Sequence, residues 1–283
     1  MKINKSVLIT GCSTGIGFSI ATHLDSLGFK VFAGIRNEKD KENLLKNSSP
    51  LLEPVIIDVT NEPSIKEALY HISAETEYPL YGLVNNAGIG ISGVVEATSV
   101  EAFRQLIEVN LLGLHAVTVA SLPLLRKTKG RIVNIGSSSA FIAAPGGSAY
   151  AASKFAVRAY SDALRTEVMP FGMFVSLVSP GPIESDIWEK SLVYKKKLRA
   201  NTSAELINLY QPFIDFGDKI LERIKPIPAI HVAKKAEHAL TAKNPKCNYL
   251  VHSDAKKAWF FSGFSKKFLS KMFLKEIYKK SKH

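Results

Sequence analysis

Short apolar runs and longer amphipathic stretches alternate along most of the chain. Strand-like apolar runs occur at residues 6–10, 30–35, 55–57, 82–84, 131–135, 174–178 and 249–251. Helical periodicity lies between them, in a stretch that ends at Leu27 and at residues 64–76, 103–126 and 150–171. Short strands that are apolar throughout and alternate with helices are typical of a parallel sheet covered on both faces. The pattern predicts a single-domain α/β fold with a doubly wound parallel sheet.

The helical pattern of residues 103–126 contains two irregular positions. An interruption of the helix is allowed on either side of Asn110, and Pro123 is expected to kink or shorten the helix.

Chain size and cysteine content exclude several classes of protein. A chain of 283 residues with 46% hydrophobic content can bury the core of one sizeable domain. Cys12 and Cys247 are far apart, which predicts neither a disulfide framework nor a metal site, and both are expected to be buried or semi-buried thiols. The first residues lead directly into a strand, and we expect no signal peptide, no apolar run of transmembrane length and a cytoplasmic location.

The positive charge is concentrated in the tail formed by residues 255–283. That tail carries nine lysines and one acid, Glu276, a net charge of +8 out of +12 for the chain. Phe261, Phe264, Phe268 and Met272 recur there at helical spacing, which predicts a basic amphipathic helix. Its apolar side could pack on a substrate lid or partner subunit, or dock on an anionic membrane surface. No nucleic-acid-binding fold accompanies the lysines, so nucleic acid is not an expected partner.

A glycine-rich turn follows the first strand with the spacing Gly11-x3-Gly15-x-Gly17. Such a turn lets the backbone approach a pyrophosphate at a helix N-terminus, although a tight turn without a ligand remains the alternative. At the tip of the second strand Arg36 stands where an acid would bind ribose hydroxyls. Arg36 could bind a 2′-phosphate, which favours NADP(H). Glu38 and Asp40 are acids that follow closely, so NAD(H) is not excluded. The loop therefore predicts a Rossmann-type dinucleotide site.

Tyr150 and Lys154 are four residues apart, so they share one face of a helix. An ammonium beside a phenol favours the phenolate, and we expect Lys154 to lower the tyrosine pKa. Such a tyrosine can exchange a proton with an alcohol or ketone. Ser137 lies thirteen residues upstream, with Ser138 as the second candidate for a partner hydroxyl.

These motifs occur in the order typical of one family. The series comprises Thr10-Gly11-x3-Gly15-Ile16-Gly17, Asp58-Val59, Asn85-Asn86-Ala87-Gly88, Asn110, Ser137, Tyr150-x3-Lys154 and Pro180-Gly181. From Ser6 to about Val251 the chain resembles the "classical" branch of the short-chain dehydrogenase/reductases. Within that branch it is similar to members that act on steroids, retinoids and other lipophilic alcohols.

The resemblance implies roles for individual residues. Tyr150 would be the acid or base, Lys154 would lower its pKa and bind the nicotinamide ribose, Ser137 would bind the substrate oxygen, and Asn110 would hold a water linked to Lys154. Gly136 stands where the family often has another serine. The implied cofactor contacts are Gly11, Ser13, Thr14, Gly15, Ile16, Gly17, Arg36, Asp58, Val59, Asn86, Ala87, Gly88, Tyr150, Lys154, Pro180, Gly181, Ile183 and Ser185.

Residues 187–230 interrupt the alternation with mixed helical signals and prolines at 212, 226 and 228. We expect an insertion over the open edge of the site, within a domain of residues 1–254. Its apolar side chains suit a lipophilic substrate or, equally, a core: Trp188, Leu192, Tyr194, Leu206, Leu209, Tyr210, Phe213 and Phe216.

The sequence therefore predicts an NADP-preferring oxidoreductase for a lipophilic secondary alcohol or ketone. The alternatives are a non-catalytic dinucleotide-sensing or scaffold protein, and an epimerase or dehydratase of the same fold. The resemblance also implies a homodimer or homotetramer through the helices that hold Asn110 and Tyr150. His231 and His238 are expected to be satisfied surface histidines, and no metal site is expected.

Overall fold

One parallel sheet of seven strands organises the chain. The computed structural model describes residues 4–185 and 187–279, and the side chains of 187–190 lie outside that description. The strand order is β3-β2-β1-β4-β5-β6-β7, and every pairing is parallel. The strands are β1 (Ser6–Ile9), β2 (Lys30–Ile35), β3 (Leu52–Ile56), β4 (Leu80–Asn85), β5 (Arg131–Ile135), β6 (Phe174–Pro180) and β7 (Asn248–Val251). The predicted doubly wound parallel sheet is confirmed.

Eleven described helices surround the sheet. They are α1 (Gly15–Ser26), α2 (Lys41–Leu45), α3 (Glu62–Ser73), α4 (Val100–Ile107), α5 (Leu114–Thr128), α6 (Ser148–Val168), α7 (Ile187–Ala200), α8 (Ala204–Arg223), α9 (Ile230–Thr241), α10 (Ser253–Phe261) and α11 (Lys266–Ile277). Val7 and Ile9 of β1 point into a core shared with α1 and α9, whereas Leu8 points into a core shared with α3, α5 and α6. Successive side chains of a strand alternate between faces, so an apolar strand needs helices on both.

Two element boundaries differ from the prediction for identifiable reasons. Strand β3 begins three residues early and includes Pro54, because β3 is the edge strand and pairs only with β2. Helix α3 begins two residues early because the Asn61 side chain accepts a hydrogen bond from the Ser64 N–H and caps it.

The irregularity at Asn110 is a change of helix type. A π-helical segment, Glu108–Gly113, joins α4 to α5 without a break, and α5 continues five residues beyond Pro123. The combined helix Val100–Thr128 is long and apolar enough to cross a membrane by length and composition, contrary to our expectation that no such run exists. Leu106, Val117 and Leu125 are fully buried in it. A core helix passes the same test, so this one helix is weak grounds for a membrane span.

Helices α7 and α8, within residues 187–230, form a helical hairpin after the carboxyl end of β6, and we call this hairpin the lid. Its base is closed by a bridge between Ile183 and Ile227, with the Ile227 N–H donating to Pro182 O at 3.2 Å. Among the predicted lid side chains, that of Trp188 lies outside the described residues.

The basic tail is two helices, not the single one predicted. Ser265 caps α11 by accepting from the Phe268 N–H at 3.2 Å. On the inner side Leu269 is buried, and Phe273 and Tyr278 meet Phe216 and Phe213 of α8, each at 6.3 Å between ring centroids. One of the two predicted arrangements, in which the tail packs on the lid, is therefore observed on this side of α11.

Candidate active site

The predicted site residues gather at the carboxyl ends of the strands. Gly11 follows β1, Arg36 follows β2, Asn86 follows β4, Ser137 follows β5 and Gly181 follows β6. Parallel strands end at the same edge, and the strand order reverses direction at β1 and β4, where ligands bind in doubly wound folds.

The glycine loop needs its glycines and leaves a helix end open. Gly11 and Gly15 have φ of 71° and 61°, the left-handed region that favours glycine. A Cβ on Gly17 would lie 2.2 Å from Gly11 O and 2.5 Å from Asn86 Nδ2, so α1 could not approach the loop. Thr14, at the N-cap of α1, makes no side-chain capping bond, and the first turn holds no acid. Its N–H groups are thus available to an anion.

Asn86 braces this loop from behind. Its Nδ2 donates to Thr10 O at 3.0 Å and to Gly11 O at 2.9 Å. Thr10 Oγ1 in turn accepts from the Asn86 and Ala87 N–H groups at 3.1 and 3.0 Å. The Asn86 side chain therefore fixes the shape of the loop, a role that the sequence pattern alone did not indicate.

The remaining loop contacts differ in accessibility. Ser13 is partly exposed and Thr14 is exposed, whereas Ile16 packs against the core. A Cβ on Gly15 would come 2.8 Å from Ser185 Cβ, so the segment after β6 lies over the glycine loop.

An unpaired cation lies directly after β2. Arg36 is exposed at the end of β2 and makes no ion pair with any described residue, while Glu38 pairs with Lys41 at 3.7 Å. Asp58 Oδ1 accepts from the N–H and hydroxyl of Thr60 at 2.9 and 2.8 Å, which fixes the carboxylate beside buried Val59.

The structure distinguishes Ser137 from Ser138. Ser137 Oγ accepts from the Ser139 N–H at 3.1 Å, and the Ser137 hydroxyl faces the Tyr150 phenol closely enough to influence its pKa. A Cβ on Gly136 would lie 2.8 Å from Ser179 Oγ, which explains why a larger residue is absent there.

Burial sets the acid–base properties of the Tyr150–Lys154 pair. Lys154 is 6% exposed, and its Nζ donates to Ile135 O at 3.0 Å and lies 5.8 Å from the Tyr150 ring centroid. Burial lowers the pKa of Lys154 to about 8. Burial also raises the pKa of Tyr150, and the neighbouring Ser137 hydroxyl opposes this only in part. The expectation that Lys154 lowers the Tyr150 pKa is therefore wrong in this arrangement, because desolvation of the phenolate dominates.

Asn110 is a fully engaged structural amide. Its Oδ1 accepts from the Ile89 N–H at 2.8 Å, and its Nδ2 donates to Ile89 O at 3.0 Å and to Ser153 Oγ at 3.1 Å. Ser153 Oγ donates to Tyr150 O at 2.8 Å. Asn110 thus ties the loop after β4, which includes Gly88, to the first turn of α6. The π-helical segment allows that reach, as such segments often do at functional sites.

The lid lies beside Tyr150. Tyr194 of α7 and Tyr150 pack against one apolar cluster that contains Ile91 and Leu106. Lys195 and Arg199 of α7 both pair with Asp218 of α8, which fastens the two lid helices together.

His252 was not selected by any motif in the sequence. It has φ 85° and ψ 152°, a region that is almost restricted to glycine, at the end of β7. A Cβ on Gly181 would lie 3.0 Å from its Cβ and Nδ1, and the Gly181 N–H donates to Val251 O at 2.8 Å. His252 therefore borders the segment Pro180 to Ile183, and only the β6–β7 pairing brings it there.

Cysteines and histidines are also present away from Tyr150 and Lys154 in the described part of the chain. Among the described residues, no three of His, Cys, Asp and Glu are grouped so as to hold a metal ion. Cys12 is buried, which raises its pKa, whereas Cys247 is exposed, so our expectation for Cys247 was wrong. His231 is exposed, and a His238 ring nitrogen is hydrogen-bonded to Tyr249 Oη at 2.8 Å.

Comparison with known proteins identifies the family. Residues 5–194 match the family model described as short chain dehydrogenase. The chain belongs to the short-chain dehydrogenase family. It is 38% identical over 260 residues to retinol dehydrogenase 7 of Mus musculus, covering 89% of this chain and 82% of that protein. It is 43% identical over 263 residues to the mitochondrial D-beta-hydroxybutyrate dehydrogenase of Mus musculus, covering 87% of this chain and 76% of that protein.

A solved structure of the family extends the likeness to the fold. An actinorhodin polyketide ketoreductase variant with NADPH is 26% identical, with a TM-score of 0.73 over 89% of this chain and 97% of that one. The retinol dehydrogenase match confirms the resemblance to retinol dehydrogenase-like members. The protein is thus an oxidoreductase of a family that acts on CH–OH groups, and these relatives support a nicotinamide cofactor.

Proposed function

We propose that this protein transfers a hydride between a nicotinamide cofactor and a lipophilic secondary alcohol or ketone, with Tyr150 as the acid or base. The observation that carries the proposal is the grouping of Ser137, Tyr150 and buried Lys154 at the carboxyl ends of the strands, with Lys154 Nζ 5.8 Å from the Tyr150 ring centroid. A hydroxyl, a phenol and an amine in one site provide a complete route for a proton.

The glycine loop and its surroundings fit a dinucleotide. Gly11 and Gly15 lie so close to neighbouring residues that a side chain would not fit at either position. The N–H groups at the start of α1 have no side-chain cap. These groups would hold the pyrophosphate, and Lys154 Nζ has donors left beyond the one used by Ile135 O for ribose hydroxyls. When bound, the nicotinamide supplies or accepts the hydride.

The residues of the chain would handle the proton. Ser137 positions the substrate oxygen, and Tyr150 donates a proton to a ketone oxygen or accepts one from an alcohol. Because burial raises its pKa, Tyr150 rests as the neutral phenol, which suits donation during ketone reduction. Lys154, with a pKa of about 8, can return a proton to the phenol near neutral pH.

Arg36 supports NADP(H) over NAD(H). Its guanidinium is exposed and has no ion-pair partner among the described residues, so it is available to a 2′-phosphate. The ketoreductase with NADPH is in keeping with this preference.

The lid supports a lipophilic substrate. Tyr194 and Ile89 pack with Tyr150 against one apolar cluster that contains Ile91, so apolar and aromatic side chains lie on this side of the tyrosine. Burying a carboxylate on an apolar lining is costly, so a retinol-like alcohol suits this lining better than a hydroxy acid.

Tyr150→Phe tests the assignment, with turnover followed at the absorbance of reduced nicotinamide across steroids, retinoids, 3-oxoacyl compounds and sugars. We expect turnover to fall by about 10²- to 10⁴-fold while cofactor affinity is retained. Tyr160→Phe is the matched control, since Tyr160 lies on the same helix but is hydrogen-bonded to His115. If Tyr150→Phe keeps wild-type turnover, or if the wild type binds cofactor but turns over no substrate, the assignment fails; the latter result points to a dinucleotide-sensing protein.

We also propose that the protein forms a homodimer or homotetramer through α5 and α6. Leu112 of the π-helical segment, Val119 of α5 and Phe155 of α6 are large apolar side chains exposed on this side. Phe155→Glu should reduce the mass measured by light scattering to that of the 31.0 kDa chain, and a wild type that is already monomeric would refute this assembly.

A further inference from the structure

A cluster of aromatic rings is exposed at the junction of α10 and α11. We call Trp259, Phe260, Phe261, Phe264 and Phe268 the aromatic corner. Neighbouring phenylalanine rings in it are 5.3–5.6 Å apart between centroids. Trp259, Phe260, Phe264 and Phe268 are 55%, 61%, 39% and 47% exposed. Single exposed apolar residues are ordinary, but a contiguous exposed cluster marks an interaction surface.

The aromatic corner is not the side by which the tail packs on the body. Ala255 of α10 is buried, and α10 lies against the 3₁₀ turn Ser138–Ala140 beside the active site. Helix α11 packs through Leu269 and Phe273 on α8. The rings of the aromatic corner are therefore still exposed although both helices pack on the body.

The charge around the corner selects the kind of partner. Lys256, Lys266, Lys267 and Lys271 are exposed and make no ion pair with any described residue. The only acid in residues 255–283 is Glu276, in the last turn of α11, where it pairs with Lys279 at 3.6 Å. Exposed aromatic rings bordered by unpaired lysines match the interface of an anionic lipid bilayer, where rings enter the headgroup region and lysines meet phosphates.

We propose that the aromatic corner docks on the surface of an anionic phospholipid bilayer. Because α11 packs on the lid helix α8 and α10 packs beside Ser138, docking places the lid next to the lipid. If the proposed function also holds, a lipophilic alcohol dissolved in the bilayer reaches the lid without crossing water. The docking itself does not depend on that function.

The test is cosedimentation of the full-length chain with vesicles that contain phosphatidylglycerol, compared with pure phosphatidylcholine. We expect the wild type to bind the anionic vesicles and to be released by salt. Phe260→Ser/Phe264→Ser should lower the partition coefficient by roughly tenfold or more, because two exposed rings no longer leave water on docking. Lys266→Glu/Lys267→Glu should abolish the preference for phosphatidylglycerol.

The matched control is Met169→Ser/Phe171→Ser, which removes two comparably exposed apolar side chains from the 3₁₀ turn before the amino end of β6. This control should bind vesicles like the wild type, and circular dichroism should show that all variants fold. Docking is overturned if the wild type does not bind the anionic vesicles or if the aromatic double variant binds them equally well. Docking is also overturned if the wild type does not bind vesicles and forms a larger oligomer than the aromatic double variant. In that case a second copy of the chain covers the aromatic corner.

Discussion

Replacing Lys154 by methionine should stabilise the cofactor-free protein while removing its activity. Burial lowers the lysine pKa from 10.5 to about 8. At about 1.36 kcal/mol per pKa unit, holding the ammonium in this site at pH 7 costs roughly 3 kcal/mol. Methionine has a similar length and no charge, but it leaves Ile135 O without the 3.0 Å hydrogen bond, a loss of about 1 kcal/mol. Lys154→Met should therefore be about 2 kcal/mol more stable at pH 7.

The difference should depend on pH in a defined direction. In the unfolded chain the lysine keeps its proton up to about pH 10.5, whereas in the folded protein it loses the proton near pH 8. Between these values the unfolded state holds more protons, so this group makes the wild type more stable as pH rises. The advantage of Lys154→Met should thus shrink above pH 8 and disappear near pH 10.

Urea unfolding at pH 7 and pH 10 measures both effects. A gain of 2 kcal/mol moves the midpoint by about 0.7 M if the slope is about 3 kcal/mol per M. Lys127→Met is the control, since Lys127 is exposed on α5 and should show no pH-dependent difference. The reasoning is refuted if Lys154→Met is destabilised equally at both pH values, because burial of the ammonium would then carry no penalty.

Three further substitutions test the loop, the amide brace and the cofactor choice. Gly17→Ala places a Cβ 2.2 Å from Gly11 O and should cost about 1–3 kcal/mol and weaken cofactor binding measured by fluorescence titration, unlike Gly147→Ala. Asn110→Ala removes three side-chain hydrogen bonds and should lower the free energy of unfolding by about 2–4 kcal/mol; an unchanged urea midpoint would show that the amide is not a brace. Arg36→Leu should raise the KM for NADPH by about 10- to 150-fold with little change for NADH, and equal changes for both would contradict a 2′-phosphate contact.

The fold and the reactive residues were predictable because they depend on local pattern. Apolar strands that alternate with helices have few arrangements other than a doubly wound sheet, and the glycine spacing after β1 marks the ligand loop. The four-residue spacing of Tyr150 and Lys154 requires only a helix to bring them onto one face. Strand and helix ends were less predictable, since edge position allowed Pro54 in β3 and a capping Asn61 moved the start of α3.

The sequence by itself thus determined the doubly wound sheet, the order of the motifs and the shared helix face of Tyr150 and Lys154, whereas tertiary structure decided their burial and the contacts between distant segments. Tyr150 and Lys154 were predicted to be neighbours, but the sign of the tyrosine pKa shift depends on how much water the packed core excludes, which spacing does not encode. The contact of His252 with Gly181 arises only when β7 pairs with β6, whose partner residues are 71 positions apart along the chain. The tail was recognisably basic and amphipathic, yet only its packing on α8 showed which aromatic rings remain exposed. Burial and exposure are properties of the whole fold, because they depend on neighbours that are distant in sequence.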